Sequence, residues 1–241
     1  MDNKYLIING LAFSEESDME KLKNYASKGW ILEEIKYGFF YKLKKDKPQD
    51  IIYTLDYQSE ANEEYFTIFK EAGWSPVVSI QNYMHIFSAK AGTNPIYSDS
   101  ASEIDKYESM RNLTKKGTIV SLVIAIALIA LLAVSLIAIR PMFLIILGLL
   151  IIDMFVFVFN FMPYIAYNSR IKEIKKYGKC KSAKVNNKIS WKLYIFAGLM
   201  LCILGVLYLI YKKVFGIFYM ALGIIYIALS VKYYKKYKKS L

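Results

Sequence analysis

The chain has 241 residues, 56% of them hydrophobic, and a formal net charge of +12. Its charge is uneven: residues 1–117 carry 15 Lys+Arg against 18 Asp+Glu, and residues 118–241 carry 17 against 2. The positive charge therefore lies beside apolar runs, where lipid headgroups and topology account for it, and nucleic acid is excluded as a partner.

In chain order, the first segments read as two copies of one unit. Lys28-Gly29-Trp30 overlays Ala72-Gly73-Trp74. The same offset brings Leu11 to Leu55, Phe13 to Tyr57, Leu22 to Phe66, Tyr25 to Phe69, Phe39 to Tyr83 and Leu43 to Phe87. Each copy is predicted as strand, helix, strand, strand. Tyr5 to Ile8 and Ile51 to Tyr57 form the opening strands. The helices are expected to start at Ser14, or at the capping-box spacing Ser17-x-x-Glu20, and at Ser59. Met19, Leu22, Tyr25 and Ala26 share a face of the first helix; Tyr65, Ile68, Phe69 and Ala72 share a face of the second.

Gly29 and Gly73 stand where a left-handed residue ends a helix, so Trp30 and Trp74 are expected to fold back onto the last turn in a structural role. Two strands follow each Trp, turning near Lys36 to Gly38 and at Gln81-Asn82. Phe39, Tyr41 and Leu43 alternate with Phe40, Lys42 and Lys44, which gives one buried face and one wetter face. His85, the only histidine, aligns with Tyr41 and reads as a packed residue. The fold class is thus an α+β module over residues 1–92, a duplicated β-α-β-β unit with an antiparallel-rich sheet and two helices.

Residues 93–117 read as a linker that turns helical near Glu103 to Leu113. An all-α bundle of four transmembrane helices is expected over 118–231, as spans 118–139, 142–167, 193–211 and 214–231. Thr118 to Ile139 holds no charge and is about 33 Å long as a helix, against a hydrocarbon core of about 30 Å. Arg140-Pro141 ends it, and Lys212-Lys213 makes the turn between the last two spans. Residues 168–192 form a loop with nine Lys+Arg and one acid, Glu173, and residues 232–241 form a basic tail. The positive-inside rule places that loop, the tail and both chain ends in the cytoplasm. No apolar core with a cleavage site follows Met1, so the module is expected to stay on the side where it is made. Cys180 and Cys202 form neither a CxxC motif nor a disulfide framework.

One intramembrane residue stands out. Asp153, in the second span, is either a proton or ion site, with Asn160 two turns away, or a protonated carboxyl bonded within the bundle to Tyr219 or Tyr226.

The module resembles the bacterial domain-of-unknown-function 2812 family over about residues 5 to 90. The likeness rests on Lys28-Gly29-Trp30, the strand Tyr53-Thr54-Leu55-Asp56-Tyr57 and Ala72-Gly73-Trp74. It carries no activity, cofactor or site residue across. What it implies is association with PadR-type transcriptional regulators, and so an envelope-linked regulatory role.

Phosphate-binding, dinucleotide, zincin and nucleophile-elbow motifs are all missing, so neither an enzyme nor a cofactor is expected. The candidate residues are Asp153, Trp30, Trp74 and Asp56. The expected function is a membrane-anchored regulatory or sensing protein whose module binds a cytoplasmic protein, using aromatics such as Phe40, Tyr53 and Tyr57. The alternative is a transport accessory or self-protection protein working through Asp153.

Overall fold

The computed structural model describes residues 3–58, 61–80, 83–97, 99–137, 140–178, 180, 182–211 and 214–239. The expected turns at Gln81-Asn82 and Lys212-Lys213, and the helix start at Ser59, lie outside these. The chain divides into two units, Met1–Cys180 and Lys181–Leu241.

In the first unit the elements run β1 (Asn3–Ile7), α1 (Leu11–Ala26), β2 (Trp30–Lys36), β3 (Phe40–Lys45), β4 (Ile51–Asp56), α2 (Glu63–Glu71), β5 (Ser75–Ile80) and β6 (Met84–Lys90). Then come α3 (Ser100–Ile137), a short 3₁₀ turn (Arg140–Met142) and α4 (Phe143–Tyr177). The six strands form two three-stranded antiparallel sheets, ordered β1-β3-β2 and β4-β6-β5.

Duplication is visible in the hydrogen bonding. Each outer pair carries a bulge at the equivalent place, between Leu32 and Glu34 in the first sheet and between Pro76 and Val78 in the second. Each hairpin closes with the same bond, Phe39 N to Lys36 O at 3.1 Å and Tyr83 N to Ile80 O at 3.0 Å. Gly29 and Gly73 both end their helices at positive φ, 77° and 85°.

The symmetry fails before the helices. Leu6 stands opposite Tyr41, but Asp56 stands opposite His85, so the first copy holds about six extra residues between its opening strand and its helix end. The overlay of Leu11 on Leu55 and Phe13 on Tyr57 is therefore incorrect: Leu11 and Phe13 belong to α1, whereas Leu55 is in β4. The extra residues lengthen α1 at its N-terminal end, with non-helical backbone at Ser14. Ser17 consequently sits inside the helix and forms no cap; Gly10 precedes the helix without a side-chain bond. In the second copy Asn62 is the cap, accepting from Tyr65 N at 2.9 Å.

Met19, Leu22 and Ala26 of α1 are buried as their periodicity requires. On α2 the inward face is Tyr65, Phe66 and Phe69, which pack on Phe87, while Ile68 points outward. A helix turns about 100° per residue, and the face centred on Phe69 leaves Ile68 on its flank. Tyr41 and Leu43 are fully buried, whereas Phe39 is exposed at the turn.

That turn is unusual. Tyr37 and Gly38 both have positive φ, 55° and 72°, the geometry of a type I′ hairpin turn. Asn or Gly is the ordinary occupant of the first position. A tyrosine there costs about 1–2 kcal/mol.

Among the described residues, four helices are long and apolar enough to cross a membrane: Ser100–Ser135, Phe143–Tyr177, Lys184–Ile210 and Phe215–Lys239. They form two antiparallel hairpins, α3 with α4, and α5 (Ser182–Ile210) with α6 (Phe215–Lys239). α3 has 38 residues and runs uninterrupted from the segment read as a linker through the first span, about 57 Å. α4 likewise continues past the second span to Tyr177, so residues 168–177 are helix rather than loop. The extension persists because Ile171 and Ile174 are buried there.

In the second unit small residues bring α5 and α6 into backbone contact. A Cβ at Gly205 would lie 2.9 Å from Gly216 O, and one at Gly198 would lie 2.9 Å from Gly223 O. In lipid, with no hydrophobic force between apolar helices, such close approach is what holds a pair.

Gly29→Ala and Gly73→Ala separate two effects. Each places a Cβ at left-handed φ, about 1 kcal/mol. At Gly29 the new carbon would also collide with the Asp46 carbonyl, while at Gly73 it meets only Thr93 Cγ2 at 3.5 Å. Thermal unfolding of the full-length protein in detergent should show the larger fall for Gly29→Ala; equal falls would contradict the packing described.

Candidate functional site

The lengthened N-terminal part of α1 supplies a buried ionic cluster. Glu15 accepts from Lys106 Nζ on one oxygen and from Tyr107 OH on the other, at 3.1 Å. Both partners lie on α3 ahead of the first span. From α4 comes Arg170, the largest fully buried side chain. Its Nε donates to Ala12 O at 3.0 Å and its Nη1 to Tyr107 OH at 3.0 Å, while Nη2 has no partner among the described residues. Glu15 Oε2 and Glu16 Oε1 each lie 4.0 Å from Nη1.

Tyrosines wall the cluster. Tyr57 stacks edge-on against Tyr167 at 5.5 Å, and Tyr107 lies flat on Tyr167 at 6.1 Å. The Lys106 ammonium sits 5.2–5.8 Å from the ring centres of Tyr107, Tyr97 and Tyr57. Burial, reinforced by neighbouring Tyr167 and the Glu15 charge, pushes the Tyr57 phenol well above its ordinary range. Burial also drives the Cys180 thiol up to about 12, only partly opposed by Arg170. Cys180 is therefore protonated near neutral pH and a poor nucleophile.

Asp56 joins the cluster through Tyr97. It is buried and accepts from Tyr65 OH at 2.7 Å and from Tyr97 OH. Burial first, and then the Asp56 charge, raises both phenols, so both remain donors. His85 stands opposite Asp56 on β6, with Nδ1 2.9 Å from Ser79 Oγ and Nε2 3.4 Å from Gln58 O. Serine, histidine and aspartate thus meet, yet the arrangement is not a triad: the second imidazole nitrogen faces a backbone carbonyl, and the carboxylate is taken by two tyrosines. Burial depresses the His85 pKa and favours the neutral ring.

The other sequence candidates have structural surroundings. Trp74 is buried among Phe69, Phe87 and Ala89, and its Nε1 donates to Asn94 O at 3.1 Å. Trp30 is half-buried with the ammonium groups of Lys4 and Lys45 over its ring. Tyr53 and Tyr57 are buried and offer a partner no surface, while Phe40 is exposed.

Asp153 is buried and has a partner on the first span. Ser121 Oγ donates to Asp153 Oδ1 at 2.8 Å, leaving Oδ2 without a partner among the described residues. Two turns from Asp153 along α4, Asn160 fills the space beside Gly117, which is one turn from Ser121 along α3. Sequence could not choose this partner, because any span could have faced Asp153. Glu15, Lys106, Tyr107 and Arg170 were missed for a similar reason: Arg170 is one of nine basic residues in its segment, with no local mark. Among the described residues no group of three or more His, Cys, Asp or Glu is placed to hold a metal ion.

Comparison with family models matches residues 14–119 to "Protein of unknown function (DUF2812)". Residues 14–119 are thus similar to the DUF2812 family. The match extends beyond the two sheets into α3, so it takes in Glu15, Asp56, Tyr57, Lys106 and Tyr107, and stops short of Arg170. A second model, "Family of unknown function (DUF8582)", matches residues 186–237, the α5–α6 hairpin. No curated protein and no solved structure matches.

Two substitutions test the geometry. Glu15→Gln leaves two buried cations without their carboxylate and should cost about 3–5 kcal/mol, whereas Glu15→Leu with Lys106→Met removes one of the two cations as well and should recover part of that loss. Chemical unfolding of the full-length protein in detergent measures both. Asp153→Asn keeps an acceptor for Ser121 and should hold stability within about 1 kcal/mol in the same assay. A larger loss would show that the carboxyl makes a contact its amide cannot.

Proposed function

We propose that this multi-pass membrane protein is a regulatory or sensing protein whose DUF2812 domain binds a partner protein in the cytoplasm and responds to the state of its first membrane hairpin. The observation that supports this is the burial of Arg170 against α1. Arg170 lies about 15 Å beyond Asn160 along α4, so tilt or sliding of the span moves a guanidinium packed into the domain. α3 provides a second uninterrupted lever through Lys106 and Tyr107. Displacing a buried charge from its partners is costly in low dielectric, so the domain follows the helices instead of decoupling from them.

The basic segment 168–192 and the lysine tail favour a cytoplasmic domain by the positive-inside rule. A PadR-type regulator as the partner rests on family resemblance alone.

Hydrogen exchange on the full-length protein tests the coupling. Reconstituted in bilayers of two acyl lengths, it should change protection in α1 and around Tyr57, and the Glu15→Leu/Lys106→Met variant should lose that response. Identical exchange in both bilayers would count against a sensing role. For the partner, purification of the full chain from its own cells should retain a soluble regulator in stoichiometric amount, and its absence would argue for the domain acting alone.

A further inference from the structure

We propose that the β2–β3 hairpin tip, Tyr37-Gly38-Phe39-Phe40, is inserted into the membrane interface as a lipid anchor for the domain. This is independent of any protein partner. Four observations carry it.

Tyr37 is 84% exposed and Phe39 56% exposed, and Ile7, which pairs with Phe40 on β1, is 64% exposed. Apolar side chains are thus exposed together at one end of the sheet. Tyr37 also occupies a left-handed turn position that Asn or Gly would fill without strain. An aromatic placed there at a conformational and a solvation cost indicates a use for its ring.

The tip's position fits that use. Phe39 packs edge-on against Phe159 of α4, with ring centres 6.5 Å apart. Phe159 is itself exposed, in the uncharged run of the second span. Its level in the bilayer follows from the hairpin: Asn160 lies against Gly117 of α3, and exposed Lys115 and Lys116 immediately precede the uncharged first span. Phe159 and the tip therefore sit at the boundary between headgroups and hydrocarbon.

Composition agrees. Tyr and Phe at the tip, with Lys36 behind it and Lys115 and Lys116 at the same depth, match the aromatic and basic pattern of an interfacial anchor. The occupant is accordingly the lipid interface, with the lysines facing its phosphates. The other end of β3 is polar, and the Asp46-Lys47 loop lies about 20 Å further along the strand.

The test uses the full-length chain in phosphatidylcholine–phosphatidylglycerol vesicles. In a Cys180→Ser, Cys202→Ala background, an environment-sensitive fluorophore is attached at Tyr37→Cys or, as the aqueous reference, at Lys47→Cys. The Tyr37 label should be quenched at least twofold more by doxyl-labelled phospholipid than the Lys47 label and should be shielded from iodide. Equal iodide quenching at both sites, without doxyl quenching, would overturn the assignment. A second measurement needs no substitution: photoactivatable phospholipid should crosslink to residues 37–40 of the native chain. Adducts on the spans with none on the tip would equally overturn it.

Discussion

Arg170 is the interaction on which the first unit depends. The Arg170 guanidinium is fully removed from water and held by two directional bonds, from Nε to a carbonyl of α1 and from Nη1 to a phenol of α3. The module and two membrane helices are therefore joined by directional bonds to charged groups, not by apolar contact alone. Apolar surfaces can slide, whereas a buried ion pair has one geometry in which its desolvation is offset. The ring of tyrosines completes the site by supplying donors and faces without adding charge.

The cluster lies where the duplication is broken. Bulges, turns and helix ends repeat between the two halves with the same spacing, as expected of a unit whose core demands it. The departure is the lengthened start of α1, and that segment brings Ala12, Glu15 and Asp18. Asp18, also buried, accepts from Asn9 and Tyr41 and fixes the segment's path. The second copy has the shorter unit, and the first carries the residues that contact α3 and α4. Asp56 ties the plainer copy into the same network through Tyr97.

The two hairpins meet the absence of a hydrophobic driving force in lipid differently. α3 and α4 are joined by a polar seam, Ser121 with Asp153 and Gly117 with Asn160. α5 and α6 instead use glycines seven residues apart on each helix, which allow backbone contact. Polar bonds in a membrane are directional and sensitive to position, while small-residue contacts are simply close. It is the hairpin attached to the two-sheet module that has the position-sensitive seam.

Much of this architecture was legible without coordinates. Uncharged apolar runs must cross a bilayer, and repeated Gly-Trp helix ends with alternating strands must make the same unit twice, because both follow from local chemistry and period. Local patterning did not extend to the helix start at Ser17, to Ile68, or to the opening-strand overlay, since an insertion changes phase without leaving a signal. Trp74 and His85 are both buried, in keeping with a large ring after a helix end and a lone imidazole in an alternating strand. Only tertiary structure could decide the partners of Asp153, Asp56 and Arg170. Each is a polar group whose environment is set by residues far away in sequence, and a buried charge chooses its partner by geometry in three dimensions, which no spacing along the chain records.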